Sequence, residues 1–146
     1  GIPILEGYGL TETSPVISCN RLDACKFGSC GLPLENLEIR IASDGELLVR
    51  GPSISQSYHN LPDDTDAAFT KDGYFKTGDL VHADLQGYLY IIGRKKNIMV
   101  LSTGKNVQPE EIEKALAQSP YIEQVLIVGD GKKMVSALVL AAVHGF

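Results

Sequence analysis

The sequence predicts an α+β fold, in which a mostly antiparallel β-sheet subdomain with a distorted, barrel-like shape precedes a small β-α-β-β domain. Residues 1–93 carry short β-branched and aromatic runs separated by turn residues, which is the pattern of successive antiparallel strands. After Gly93 the pattern changes, because a strong helix start at Pro109 stands ahead of further apolar runs. We therefore expect a first domain at residues 1–95 and a second domain at residues 96–146.

In the first domain, the clearest element is a hairpin. Residues 38–42 and 46–50 flank the turn sequence Ser-Asp-Gly at 43–45. Pro62 precedes a short predicted helix at 63–69, whose acidic first turn complements the helix dipole. The turn sequences at 71–73 and 85–87 each lead into a further strand.

In the second domain, the helix begins at Pro109, which suits the first helical position. Glu110 and Glu111 place two carboxylates in the first turn, and Val107 can pack on Ile112 as a hydrophobic staple. Residues 118–120, Gln-Ser-Pro, end the helix. The apolar runs at 125–128 and 134–142 then flank a turn sequence and predict a second hairpin.

Composition excludes several function classes. A net charge of -5 and a pI of about 5.1 leave no basic stripe for a nucleic-acid backbone. The cysteines are three, an odd number, and they lack the spacing of a metal site. We therefore expect no disulfide framework and a protein in the reducing cytosol. No apolar stretch has the length of a transmembrane helix. The chain starts on an apolar run and stops directly after a strand-like one, so we expect both ends to be cuts.

Residues 7–13, Gly-Tyr-Gly-Leu-Thr-Glu-Thr, have the chemistry of a nucleotide-phosphate corner. Tyr8 offers a flat face for a base, Gly9 lets a backbone approach a ligand, and Thr11 offers a hydroxyl. Glu12 is a hard-oxygen ligand suited to magnesium. The alternative is a polar turn in which Thr11 or Thr13 caps the backbone and Glu12 is solvated.

Two later segments also offer nucleotide contacts. In residues 74–79, Tyr-Phe-Lys-Thr-Gly-Asp, Asp79 stands at a predicted strand start, where one carboxylate can accept both hydroxyls of a ribose. The alternative is an Asx-type turn that caps the strand. In residues 93–96, Gly-Arg-Lys-Lys, Arg94 follows a predicted strand end. A solvated surface cation is the alternative there.

In this order, the three segments resemble the AMP-forming acyl-adenylate superfamily, and specifically its long-chain fatty acid CoA ligases. The segment at 102–113 also resembles them, and its Gly-Lys-Asn sequence favours that branch. The resemblance implies activation of a carboxylate with ATP to acyl-AMP and transfer of the acyl group to CoA. It also implies ATP, magnesium and CoA as cosubstrates, a cytoplasmic location with a peripheral membrane contact as an option, and no nucleic-acid partner.

The resemblance also implies roles for individual residues. Tyr8 stacks on adenine beside Gly9, Thr11 binds the α-phosphate, and Glu12 binds magnesium. Asp79 and Arg94 contact the ribose, Lys96 is the hinge, and Gly104 lies in the loop that borders the CoA tunnel.

Departures from the family pattern limit what the chain can do alone. The upstream phosphate loop and the near-C-terminal catalytic lysine are absent from the sequence, so we expect a truncated second domain, no catalytic residue in this chain and no activity by itself. Ser57 stands where glycine is usual, and Lys96 where many relatives carry aspartate. Two alternatives stay open: an adenylation domain that activates an amino or aryl acid for a carrier protein, and a non-catalytic interaction module, with oligomerisation undecided.

Overall fold

A computed structural model describes residues 2–142 of the chain. The expected cuts at Gly1 and at residues 143–146 lie outside that range. The strands are β1 (Gly7–Gly9), β2 (Val16–Cys19), β3 (Leu32–Pro33), β4 (Glu38–Ile41), β5 (Glu46–Arg50), β6 (Phe75–Ala83), β7 (Leu89–Arg94), β8 (Met99–Val100), β9 (Asn106–Val107), β10 (Ile122–Val128) and β11 (Ser136–Ala141). The helices are α1 (Pro62–Ala68) and α2 (Pro109–Leu116), and short 3-10 turns form at Thr11–Thr13 and Lys95–Asn97.

The strands form four sheets, with the orders β1-β2-β3, β4-β5-β6-β7, β8-β9 and β10-β11. Every strand pair whose register is described is antiparallel, as the sequence predicts. The barrel-like shape needs a correction, because within residues 2–142 no sheet closes on itself. Strands β4 and β7 are the two edges of the four-stranded sheet. The fold of the described residues is therefore α+β with open antiparallel sheets.

The described residues divide into two compact units between Ile91 and Ile92, inside β7. In the first unit, the core forms around β5, because this strand has neighbours on both sides and four of its five residues are buried. The buried apolar cluster consists of Ile17, Leu37, Leu47, Val49, Phe75, Val81 and Leu89. This core joins the three-stranded and four-stranded sheets and holds β1 and β6 in place.

Several predicted elements are confirmed with shifted ends. Strands β4 and β5 pair as the predicted hairpin, in which Ile39 faces Val49. Helix α1 begins at Pro62, one residue before the prediction, and α2 begins at Pro109 as predicted. Strands β10 and β11 also pair as the predicted hairpin.

Two local expectations are wrong. Asp79 was expected at the start of a strand, but β6 begins at Phe75, so residues 77–79 lie inside it. The predicted β-α-β-β order has one strand ahead of the helix, whereas two strands, β8 and β9, form a short hairpin there. Both strands have only two residues, which is too short to produce an alternating sequence pattern.

Candidate functional site

The structure brings Tyr8 and Asp79 into direct contact. The Tyr8 hydroxyl on β1 donates a hydrogen bond of 2.6 Å to Oδ2 of Asp79 on β6, across 71 positions of sequence. Asp79 is only 3% exposed, whereas Tyr8 is half-buried. A flat aromatic ring and a buried carboxylate therefore lie side by side, with the ring partly open to a ligand.

The backbone around Asp79 is shaped by an irregular stretch of β6. Gly78 has a φ of +72°, a conformation that side chains with a Cβ rarely adopt. Its N–H donates to Oε1 of Glu46 over 3.1 Å, and Glu46 itself is 6% exposed. The pairing of β5 with β6 shifts register between Glu46 and Leu48, as in a β-bulge. Bulges re-aim side chains, and this one precedes the residue that meets Tyr8.

Thr77 completes the support of Asp79. Its hydroxyl donates to the Leu47 carbonyl oxygen over 2.8 Å and accepts the Asp79 N–H over 3.1 Å. The alternative for this segment was an Asx-type turn. A turn of that kind is present, but the Thr77 side chain accepts its hydrogen bond. The Asp79 carboxylate accepts a hydrogen bond from outside this turn, from the Tyr8 hydroxyl.

Glu12 lies on the 3-10 turn that follows β1, and the segment 55–58 holds it at two points. Its carbonyl oxygen accepts the Ser55 N–H over 2.8 Å. Its Oε1 accepts the Tyr58 hydroxyl over 3.0 Å. Burial raises the pKa of Tyr58, and the hydrogen bond to Glu12 raises it further, so the hydroxyl keeps its proton at neutral pH.

Thr13, not Thr11, caps this turn. The Thr13 side chain is fully buried, its Oγ1 accepts the Leu10 N–H over 3.0 Å and lies 2.7 Å from the Pro15 carbonyl oxygen. Thr11 is exposed. The alternative of a polar turn capped by a threonine is therefore confirmed for Thr13. Its expectation of a solvated Glu12 is wrong, because Glu12 is half-buried and hydrogen-bonded.

A cavity of about 530 Å³ lies between α1 and β6, and Tyr58, Thr77 and Gly78 line it together with Glu46. This volume is in the range of small-molecule sites. Tyr58 and Glu46 are not among the candidates that the sequence predicts. Neither belongs to a recognisable motif, and a buried glutamate on a strand has no local sequence signal.

The remaining candidate residues belong to the second unit. Arg94 is the exposed last residue of β7, and Lys96 is exposed in the 3-10 turn that follows. Gly104 is exposed in the turn between β8 and β9, with a φ of +81°. Beside them, Oε1 of Glu110 accepts the Asn97 amide over 2.6 Å, which ties the 3-10 turn to the start of α2.

Within residues 2–142, no group of three or more histidine, cysteine or acidic side chains could hold a metal ion. Mg²⁺ that binds with nucleotide phosphates usually takes one or two protein carboxylates, and Glu12 could supply one. Neither described helix combines the length and apolar character needed to cross a membrane.

Comparison with known proteins gives two family matches. Residues 1–59 match the family described as AMP-binding enzyme, and residues 96–145 match the AMP-binding enzyme C-terminal domain. The chain is 46% identical to the long-chain-fatty-acid–CoA ligase FadD15 of Mycobacterium bovis over 95% of this chain and 23% of that protein. It is 42% identical to the indoleacetate–CoA ligase of Aromatoleum aromaticum over 88% of this chain and 27% of that protein.

Solved structures of a coenzyme A synthetase are also similar to this chain. The O-succinylbenzoate coenzyme A synthetase of Bacillus subtilis, in complex with ATP and magnesium ion, matches with a TM-score of 0.78 and 32% identity over 95% of this chain and 32% of that chain. The same enzyme with its acyl-adenylate intermediate matches with a TM-score of 0.83 and 30% identity over 100% of this chain and 33% of that chain. The chain thus spans about a quarter of the length of the curated relatives and about a third of the solved ones.

Proposed function

Because the chain belongs to the AMP-binding enzyme family, we propose that it is part of a longer ligase that activates a carboxylic acid with ATP and transfers the acyl group to coenzyme A. The first half-reaction forms acyl-AMP and releases pyrophosphate, and the second displaces AMP with the CoA thiol. The observation that carries the proposal is the Tyr8–Asp79 contact. It places a ring suited to a base beside a carboxylate suited to a ribose.

Asp79 is the proposed ribose ligand, with Tyr8 and Gly9 against the adenine and Thr11 at the α-phosphate. Its Oδ2 accepts a hydrogen bond from Tyr8, and a carboxylate can accept several hydrogen bonds at once, which suits it to the hydroxyls of a ribose. Burial of Asp79 favours this role, because a hydrogen bond to a charged group is stronger where water is excluded. The irregular stretch at Gly78 supports the role by directing Asp79 toward β1.

Glu12 is the proposed magnesium ligand. Among the described residues its Oε2 accepts no hydrogen bond, while Oε1 is held by Tyr58, so one carboxylate oxygen is available to a cation. Magnesium would neutralise charge on the ATP phosphates. The protein's part is to present one hard oxygen in a fixed direction.

Arg94, Lys96 and Gly104 take the remaining proposed roles. Arg94 is a second ribose contact, Lys96 is the hinge between the two domains, and Gly104 borders the CoA tunnel. Exposure of all three supports roles in binding and motion more than in the core. The domain boundary at residues 95–96 remains a proposal of the same kind.

The acid is proposed to be a long-chain fatty acid, which the likeness to a ligase named for that substrate supports. An aryl acid is the second candidate, since indoleacetate and O-succinylbenzoate ligases are also similar. We also propose a cytoplasmic location with peripheral membrane contact, which cell fractionation can test.

The test is an acyl-CoA synthesis assay on the full-length ligase with palmitate, indole-3-acetate and 2-succinylbenzoate. Each acid is supplied with ATP, Mg²⁺ and CoA, and AMP and acyl-CoA are both quantified. Preference for palmitate supports the long-chain proposal, and preference for either aryl acid replaces it. Formation of acyl-AMP without acyl-CoA would instead favour an adenylation domain that serves a carrier protein. No acid-dependent AMP release would leave the non-catalytic alternative.

A further inference from the structure

We propose that Tyr58 is a positioning residue for the Glu12 carboxylate, which it holds in the orientation that a divalent cation with ATP requires. The inference rests on the proposed function, in which Glu12 is the magnesium ligand. It concerns a residue to which the sequence pattern assigned no chemistry.

The contact between the two residues is long-range in sequence. The Tyr58 hydroxyl donates to Oε1 of Glu12 over 3.0 Å, across 46 positions. Three residues earlier, the Ser55 N–H donates to the Glu12 carbonyl oxygen over 2.8 Å. The segment 55–58 therefore fixes both the backbone and the side chain of Glu12.

Tyr58 is in turn held by the first turn of α1. Its N–H donates to Oγ1 of Thr65 over 2.9 Å, and the Thr65 hydroxyl donates to the Leu61 carbonyl oxygen over 2.8 Å. Tyr58 is half-buried and lines the cavity between α1 and β6. The Tyr58 side chain is therefore held at both ends, by its backbone N–H and by its hydroxyl.

This arrangement distinguishes the two oxygens of the carboxylate. Oε1 is bound by a neutral donor, and within residues 2–142 Oε2 receives no hydrogen bond. Partners that hydrogen-bond a metal-ligating carboxylate orient it, and their loss typically lowers metal affinity by about 10- to 100-fold.

The experiment measures Mn²⁺ binding by the full-length ligase in the presence of ATP and absence of acid, from the electron paramagnetic resonance signal of free Mn²⁺. Tyr58→Phe removes only the hydroxyl, and we expect binding weaker by about tenfold. Glu12→Gln marks the loss of the ligand itself. Tyr121→Phe is the matched control, because Tyr121 is 73% exposed and belongs to the second unit, and it should bind as wild type does.

A double variant identifies the route of the effect. If Tyr58 acts through Glu12, adding Tyr58→Phe to Glu12→Gln causes no further loss. In the pyrophosphate-exchange assay, Tyr58→Phe should raise the Mg²⁺ concentration needed for half-maximal rate and leave the rate at saturating Mg²⁺ nearly unchanged. Thr65→Val, which removes the anchor and keeps the Tyr58 hydroxyl, should give a smaller loss in the same direction. It provides a second route if Tyr58→Phe folds poorly.

Failure of the inference and failure of the proposed function give different results. If Glu12→Gln weakens Mn²⁺ binding and Tyr58→Phe does not, the positioning role is wrong and the metal ligand stands. If the losses of the two variants simply add, Tyr58 acts elsewhere and the inference is also wrong. If Glu12→Gln binds Mn²⁺ with ATP as tightly as wild type, the proposed metal ligand is wrong, and the inference falls with it.

Discussion

At the residue scale, the chemistry is concentrated in two carboxylates with different surroundings. Asp79 is buried and accepts a hydrogen bond from Tyr8, whereas Glu12 is half-buried and accepts one from Tyr58. Each carboxylate therefore has a tyrosine partner from a different part of the chain. A tyrosine hydroxyl orients a carboxylate by hydrogen bonding and leaves its other oxygen to contact a ligand.

The first prediction concerns Asp79. In the full-length ligase, Asp79→Ala should raise the KM for ATP by about 10- to 100-fold, because a hydrogen bond to a charged group contributes roughly 1.5–3 kcal/mol. The same variant should affect 2',3'-dideoxy-ATP far less, since that nucleotide lacks both hydroxyls. Asp23→Ala, at an exposed ion pair with Arg21, is the control. Equal losses with both nucleotides would assign Asp79 a purely structural role.

A second prediction concerns Gly9, at the end of β1. A Cβ built there would lie 1.7 Å from the Pro15 carbonyl oxygen, so the backbone of β1 or of the turn must move. Gly9→Ala should lower the free energy of unfolding by about 1–3 kcal/mol, the usual cost of overpacking. The control is Gly7→Ala on the same strand, where the nearest atom would be 3.2 Å away and a smaller loss is expected. Urea titration of both variants measures the difference, and equal stability would show that the turn adapts freely.

At the element scale, the connection between β6 and β7 carries a pH-sensitive ion pair. Lys26 donates to Oδ2 of Asp84, and Oδ1 of Asp84 accepts the N–H groups of Gln86 and Tyr88 over 2.9 and 3.0 Å. The hydrogen bond from Lys26 holds the pKa of Asp84 below its usual value. The ion pair with Lys26 thus stabilises this connection only while the Asp84 carboxylate is ionised.

The third prediction follows from the sign of that shift. A carboxyl group with a lowered folded-state pKa stabilises the fold fully above its unfolded pKa, which is about 3.9, and this stabilisation is lost as pH falls through the folded value. Asp84→Asn keeps the one oxygen that accepts both turn N–H groups and loses the charge. Wild type should therefore be more stable than Asp84→Asn at pH 7, and the difference should shrink below about pH 4. Thermal unfolding of both proteins at pH 7 and below about pH 4 tests this prediction. A stability difference that stays constant would exclude ionisation of Asp84 as its cause.

The fourth prediction belongs to the 3-10 turn Lys95–Asn97, which contains the proposed hinge. A hinge must visit two backbone conformations, whereas proline locks φ near -65° and also restricts the residue before it. In the full-length ligase, Lys96→Pro should depress one half-reaction much more than the other, with thioester formation from pre-made acyl-AMP the more affected. Lys96→Ala keeps the backbone freedom and should be nearly silent. Equal losses in the proline variant, or a large loss in the alanine variant, would move the hinge elsewhere.

At the scale of the whole molecule, the proposed function makes this chain one part of a longer ligase. It spans 23% of the FadD15 relative, and the roles proposed for its residues are to bind nucleotide and metal, not to transfer protons or carry the acyl chain. Groups that stabilise transition-state charge commonly contribute several kcal/mol to a barrier. Binding residues alone do not replace them.

The fifth prediction is that the 146-residue chain is inactive by itself. Pyrophosphate exchange with ATP, Mg²⁺ and palmitate should stay at the level of a protein-free control, while the full-length ligase at equal concentration shows acid-dependent exchange. A circular dichroism spectrum with strand content establishes that the purified chain is folded during the assay. Acid-dependent exchange from the folded chain would contradict the prediction and show that the missing groups are dispensable.

The sequence by itself determined the local elements, because their signals are local. The turn at 43–45, Pro62 and Pro109 act through the conformations of a few neighbouring residues, so the hairpin and both helices could be predicted to within about a residue or two. The motifs also carried the family resemblance, since it depends on residue types in order. The extent of β6 and the β8–β9 hairpin could not be predicted, because strand ends depend on partners distant in sequence.

Only the tertiary structure decided which side chains meet. Tyr8 and Asp79 are 71 residues apart, Glu12 and Tyr58 are 46 apart, and nothing in the local spacing of either pair indicates contact. Packing of β5 between β4 and β6 sets the position of Asp79, and the anchor of Tyr58 on α1 brings its hydroxyl to Glu12. The physical reason is that hydrogen bonds between side chains depend on distance in space, which sheet pairing and core burial establish together.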